Sequence, residues 1–208
     1  MRLHITLLLL LIILTSTLVL AQPKEGSKIP DFTLTAVGPD GRKCTLKSTS
    51  LAGRTVLIAF YAYWCSHCNK ELPELAAAWN QCSRGEDVAI LVGLGGNSAR
   101  DYDLFKKYAA NGWYFVSENY TFAKLFGIES VPTVIIVDGN GIVRQMIDRG
   151  GAGRGMYCIG INLAHSKSTQ NKTEPIPCEL ENPAQLSPIP IELALVLVII
   201  AFIVIAAF

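Results

Sequence analysis

Cys65 and Cys68 stand two residues apart in the stretch Tyr61 to Pro73, "YAYWCSHCNKELP", with Trp64 before them and His67 between them. Such a pair supports four kinds of chemistry: metal ligation, haem attachment, a structural cross-link, or reversible thiol–disulfide exchange. Structural zinc takes four ligands, commonly as two paired sets. This chain has one C-x-x-C, and His67 lies inside it, where its ring does not readily point with both thiolates, so no metal is expected. Haem attachment requires histidine directly after the second cysteine, and Asn69 stands there. A disulfide across so few residues restrains little of the unfolded chain, so it gains little as a staple. Reversible exchange fits best.

The flanking pattern sets the pair at a strand-to-helix junction. Thr55 to Tyr61, "TVLIAFY", is a continuous apolar run suited to a strand buried on both faces. From Glu71 to Gln81, Leu72, Leu75, Ala76 and Trp79 recur at helical spacing. Cys65 then lies at a helix N-terminus, where the dipole and free amides favour a thiolate. Cys68 follows one turn on, shielded and within reach, so it can resolve a mixed disulfide formed at Cys65.

The other elements alternate. Phe32, Leu34 and Ala36 interleave with Thr33 and Thr35 as a half-buried strand, and a turn at 38–41 returns it through Lys43 to Leu46. Asp87 to Leu94 reads as a second buried strand, Ser98 to Ala110 as a helix with Ser98 as N-cap and Asp101 three residues on, and Trp113 to Val116 as a short strand. A short helix over Tyr120 to Phe126 closes at Gly127, and "DGNG" (138–141) joins strands 134–137 and 142–147. Strands alternating with helices imply parallel crossovers, closed by an antiparallel pair.

These motifs resemble the thioredoxin-like proteins of the TlpA/ResA type. "WCSHC" followed by "NKELP" is similar to that family's W-C-x-x-C-x-x-E-x-P pattern, and Val131-Pro132-Thr133 to its cis-proline loop; the likeness covers roughly residues 28–149. It implies an α/β thioredoxin fold, a central mixed β-sheet flanked by helices with an N-terminal β-hairpin extension. It also implies Cys65 as nucleophile, Cys68 as resolving thiol, and a cis Pro132 lying against them. Trp64, Val131, Pro132 and Thr133 then form the surface on which the substrate docks, with no cofactor. Glu71 is expected to assist proton transfer, since Ala59 occupies the strand position where thioredoxins carry a buried aspartate. Pro73 should kink the helix.

His67 beside the Cys65 thiolate stabilises the reduced form and favours an oxidising or isomerising pair. The family instead includes many reductants. The lean is towards the oxidant, with electron direction left open. A thioredoxin-fold binding or chaperone module with a structural C-x-x-C is the alternative function. A peroxidase reading is weaker, because Ala62 stands where a threonine is required before a lone peroxidatic cysteine.

Both ends of the chain are apolar. Residues 1–21 read as a secretory signal peptide ending in Val19-Leu20-Ala21, or as an uncleaved anchor. Residues 22–165 hold the thioredoxin-like domain. Residues 166–190, with five prolines, read as a polar stalk. Residues 191–208 read as a transmembrane helix or a processed lipid-anchor signal. Either way the domain is expected on the extracytoplasmic side of a membrane, where disulfides persist, as the N-x-Thr sites at Asn119 and Asn171 allow. The expected partners are protein thiols and disulfides and a membrane or extracytoplasmic redox protein. A net charge of +1 gives no case for nucleic acid. Among the other cysteines, Cys82 should end the active-site helix and Cys158 lies where the fold's final helix packs, so a Cys82–Cys158 disulfide is one candidate pairing, with the pairing of the four left open. The glycines at 150–160 weaken that helix. Cys44 is read as a buried thiol and Cys178 as a stalk cysteine open to another chain.

Overall fold

The computed structural model describes residues 23–108, 112–117, 120–168 and 179–180. Its strands are β1 (Thr33–Val37), β2 (Lys43–Lys47), β3 (Val56–Tyr61), β4 (Val88–Gly93), β5 (Tyr114–Ser117), β6 (Thr133–Val137), β7 (Val143–Asp148) and the two-residue β8 (Glu179–Leu180). The helices are α1 (Ser66–Cys82), α2 (Ser98–Lys106), α3 (Tyr120–Leu125) and α4 (Gly153–Lys167). One sheet contains every strand, in the order β7-β6-β3-β4-β5-β1-β2-β8. The neighbours β3, β4 and β5 run parallel, while β6 is antiparallel to β3 and β7 to β6. This is the expected thioredoxin fold, with the β1–β2 hairpin added to the β5 edge through the pair Val37 and Phe115.

The apolar run of β3 is buried at every residue because both faces of the strand are covered. Leu57, Ala59 and Tyr61 point into a core shared with α1, α2 and α4. Val56, Ile58 and Phe60 point into the opposite core, with the hairpin and the α3 aromatics. Phe32, Phe60, Phe122 and Phe126 cluster there with ring centroids 4.8–6.2 Å apart.

Several local expectations change. The N-cap of α2 is Asn97, whose side chain accepts from the Arg100 amide; Ser98 is the first helical residue, and the helix ends at Lys106. Helix α1 continues through Pro73. The glycine-rich α4 forms fully, and Gly160 is the reason it packs where it does. A Cβ there would come 2.0 Å from Gln145 Oε1 and 2.7 Å from Ile136 Cδ1, so a side chain at this position would have to push both aside for the helix to approach β6 and β7 this closely. Within the expected stalk, α4 extends to Lys167, and Glu179–Leu180 pair with Thr45 and Cys44 of β2.

Cys82 and Cys158, the candidate pairing, form a disulfide with Cα atoms 5.5 Å apart, joining the end of α1 to the first turns of α4. Cys44 is buried and disulfide-bonded, which corrects its reading as a thiol. Cys178 lies outside the described residues, as do both apolar terminal segments and the two N-x-Thr asparagines. Among the described residues no helix is long and apolar enough to cross a membrane.

Candidate active site

The chain leaves the sheet at Tyr61 and enters α1 at Ser66, so the intervening loop carries Trp64 and Cys65 to the sheet end. Cys65 is the N-cap: its Sγ accepts a hydrogen bond from the Cys68 amide at 3.0 Å. That amide is one of the donors a helix N-terminus leaves unpaired, and a donor so placed favours a thiolate. Cys65 and Cys68 are joined, with Cα atoms 5.2 Å apart. Cys65 keeps 7% of its surface accessible and Cys68 none. An incoming thiolate therefore reaches Cys65 Sγ first, leaving Cys68 as the internal leaving group. His67 is exposed on the first turn of α1.

The Val131–Pro132 bond is cis. It turns the Val131 carbonyl towards the pair, 3.6 Å from Cys65 Sγ. Pro132 is buried, and Thr133 begins β6. The Thr133 hydroxyl donates to the Ser130 carbonyl at 2.8 Å and to Asp148 Oδ1 at 3.1 Å, and Ser130 donates to the same carboxylate. The Ser130 hydrogen bond holds the Asp148 carboxyl below its ordinary range against the opposing effect of burial. This fastens both ends of the proline loop. Trp64, 61% exposed, donates its indole N–H to the Gly95 carbonyl at 3.0 Å. Beside it runs a groove of about 730 Å³, lined by Trp64, Leu94, Tyr120, Lys124, Ile128 and Val131.

Asp101 is a site residue that the sequence disguised as part of a helix start. Fully buried, it accepts from the amides of Tyr63 (2.8 Å) and Gly95 (2.7 Å), while its own carbonyl accepts from the Tyr61 hydroxyl (2.6 Å). It thus ties the loop before Trp64 to the loop after β4. Burial, reinforced by Asp101, pushes the Tyr61 hydroxyl far up, so it remains a donor. A Cβ on Gly95 would lie 2.6 Å from Asp101 Oδ1, so a glycine there lets the carboxylate in. Only the sheet shows this, since the contact spans 38 residues to Tyr63. Asp101→Asn presents an amide N–H to one of these backbone donors. It is expected to cost about 1–3 kcal/mol in denaturant unfolding and to loosen Trp64, seen as a change in tryptophan emission. An unchanged midpoint and spectrum would contradict this.

Glu71 is buried at 8% exposure. Its Oε2 accepts from the Gly151 amide at 2.7 Å, and its Oε1 from the Ala152 amide at 3.1 Å and the Tyr157 hydroxyl at 2.6 Å. Helix α4 has no side-chain cap of its own at Ala152, so this carboxylate from α1 serves the free amides at its start. Burial alone would raise the Glu71 carboxyl. Hydrogen bonds from Tyr157, Gly151, Ala152 and Gly153 outweigh it and hold the group below its ordinary range.

The structure therefore brings Cys65, Cys68, Val131, Pro132, Thr133 and Trp64 to one end of the sheet. It sets Glu71 behind them, against the turn leading into α4, and His67 out towards solvent.

Known proteins resemble this chain in sequence and in fold. The thiol-disulfide oxidoreductase ResA of Bacillus subtilis is 24% identical over 124 residues, covering 59% of this chain and 66% of its own length. The chain thus spans just under two thirds of that relative. A solved structure assigned as the thiol:disulfide interchange protein DsbE of Chlorobium tepidum superposes with a TM-score of 0.57 at 21% identity, covering 69% of this chain and 99% of that one. A thio-disulfide isomerase from Thermus thermophilus does so with a TM-score of 0.54 at 22% identity, covering 68% and 96%. These structures share the fold. The Redoxin family model matches residues 24–150, well over half of the chain and all of the site from Trp64 to Gly150, so the chain belongs to the Redoxin family.

Proposed function

We propose that this protein is an extracytoplasmic, membrane-tethered thiol–disulfide oxidoreductase that exchanges disulfides with substrate proteins through Cys65 and Cys68. The observation that carries the reading is the asymmetry of the pair: Cys65 Sγ, slightly exposed, receives the Cys68 amide and faces the Val131 carbonyl, while Cys68 is sealed. In the oxidising half-reaction a substrate thiolate attacks Cys65 Sγ, and Cys68 departs as a thiolate. A second substrate thiolate then displaces Cys65, leaving a substrate disulfide and a reduced pair; reduction is the reverse. The groove beside Trp64, with the cis-proline loop, offers an extended peptide apolar contact and backbone partners next to the sulfurs.

Export and tethering rest on the apolar segments at 5–20 and 193–208, and on the second, structural disulfide, which suits an oxidising compartment. The ResA relative's name carries the reaction class.

Insulin reduction and refolding of scrambled ribonuclease by the full chain test the activity; failure in both would leave a binding module. The potential tests the direction. On the oxidant reading, which rests on His67 standing between the two cysteines in the sequence, it is expected clearly above that of thioredoxin. A value at or below about −270 mV would make the protein a reductant.

A further inference from the structure

We propose that Tyr157 is a positioning residue for the redox pair: its hydroxyl, held against α1 by the Cys82–Cys158 disulfide, locks the Glu71 carboxylate so that the glycine turn before α4 braces cis-Pro132 beside Cys65. The inference rests on the exchange activity proposed above only for its catalytic consequence.

The contacts form a continuous chain. Tyr157 is fully buried and donates to Glu71 Oε1 at 2.6 Å. Glu71 holds the Gly151 and Ala152 amides with its two oxygens. The adjoining Gly150 has φ +70° and no room for a side chain: a Cβ would lie 2.9 Å from Pro132 Cγ and 3.3 Å from Glu71 Oε2. The turn is thus wedged between the proline ring and the carboxylate. The Val131 carbonyl preceding that proline is 3.6 Å from Cys65 Sγ. The next residue after Tyr157 is Cys158, bonded to the last residue of α1, so the hydroxyl is delivered by a helix cross-linked to the helix that carries Glu71.

This arrangement revises the expected role of Glu71. A carboxylate whose oxygens already accept hydrogen bonds from Tyr157 and the backbone amides at the start of α4, and which is held ionised, is a poor proton carrier near neutrality. It acts as a brace, and the brace depends on its charge, because a protonated carboxyl loses acceptor strength towards the amides. Other titratable groups on the elements packed around it are His67, Lys70 and Glu74 on α1, Asp148 and Arg149 before the turn, and Arg154 on α4, which lies 3.8 Å from Glu74 Oε2. No cation pairs with Glu71 among the described residues. Removing the Tyr157 hydroxyl leaves burial opposed by fewer donors and moves the carboxyl upward, and the brace weakens as pH falls through that raised value.

The test is Tyr157→Phe in the full chain, which keeps the ring in the core. The ratio of wild-type to variant exchange rates is expected to be about tenfold at pH 5.5, falling towards unity by pH 8. Cys82→Ala/Cys158→Ala should show the same trend in weaker form. In a Glu71→Gln background, Tyr157→Phe should add no pH dependence. An unchanged rate, a pH-independent ratio, or the same loss in the Glu71→Gln background would overturn the proposal. NMR gives a readout independent of activity: the Glu71 carboxyl carbon should titrate below the ordinary range in wild type and higher in Tyr157→Phe, with shifts at the Val131 and Thr133 amides. An inactive wild type that shows these shifts would refute the exchange reading and leave the brace standing; their absence refutes the brace.

Discussion

Cys65→Ser is expected to bring thiol–disulfide exchange down to the uncatalysed background, a loss of about three orders of magnitude or more, since a serine hydroxyl carries no comparable nucleophile near neutrality. The Cys68→Ala variant should behave differently. It retains the Cys65 thiol beneath the Cys68 backbone amide, so it still attacks a substrate disulfide and expels one substrate thiolate. It then has no internal thiol to displace the bound half. The product is a mixed disulfide on Cys65, stable without added thiol and released by dithiothreitol. Peptide mass spectrometry after non-reducing digestion would locate the link and identify the bound protein. The contrast follows from position: Cys65 caps the helix with accessible sulfur, whereas Cys68 has no exposed surface. If Cys68→Ala were the variant that lost all attack and Cys65→Ser formed the adduct, the assignment of the two roles would be reversed.

The second large effect concerns stability. Cys82 and Cys158 close a loop of 76 residues, spanning α1 through α4. Cross-linking such a loop removes unfolded-chain entropy worth about 4 kcal/mol, between the values for 15- and 100-residue loops. Cys82→Ala/Cys158→Ala should therefore lower Tm by roughly 8–16 °C, at about 2–4 °C per kcal/mol for a chain of this size. Reduction of Cys65–Cys68 gives the internal control. That pair is separated by only three positions, so opening it removes little loop constraint. Calorimetry of the double variant and of wild type under mild reductant separates the two. A shift of under 2 °C for the double variant would show that the α1–α4 packing, not the cross-link, holds these helices together.

Much of the fold was written in local pattern. The unbroken apolar run from Thr55 to Tyr61 specified a strand covered on both faces, and β3 is buried throughout. Alternation at 32–36 specified a half-covered strand, and "DGNG" a tight turn, where Asp138 accepts from the Asn140 and Ile142 amides. These features are legible because each depends on neighbours within a few residues. Helix α4 was less so: its glycines argue against a helix until Gly160 is seen pressed against Gln145 and Ile136.

The sequence by itself determined the reactive pair and its place at a strand-to-helix junction, because spacing, periodicity and the helix dipole act along the chain and need no partner. The proline opposite the pair and the thioredoxin fold came from the resemblance to the TlpA/ResA type. Only the tertiary structure decided what Asp101 and Glu71 do. Asp101 reaches Tyr63 across 38 residues and Glu71 reaches Tyr157 across 86. A carboxylate's role depends on the donors that surround it in space. Read along the chain, Asp101 belonged to a helix cap and Glu71 to proton transfer; in the fold the first anchors the Trp64 loop and the second is held ionised by donors from another helix.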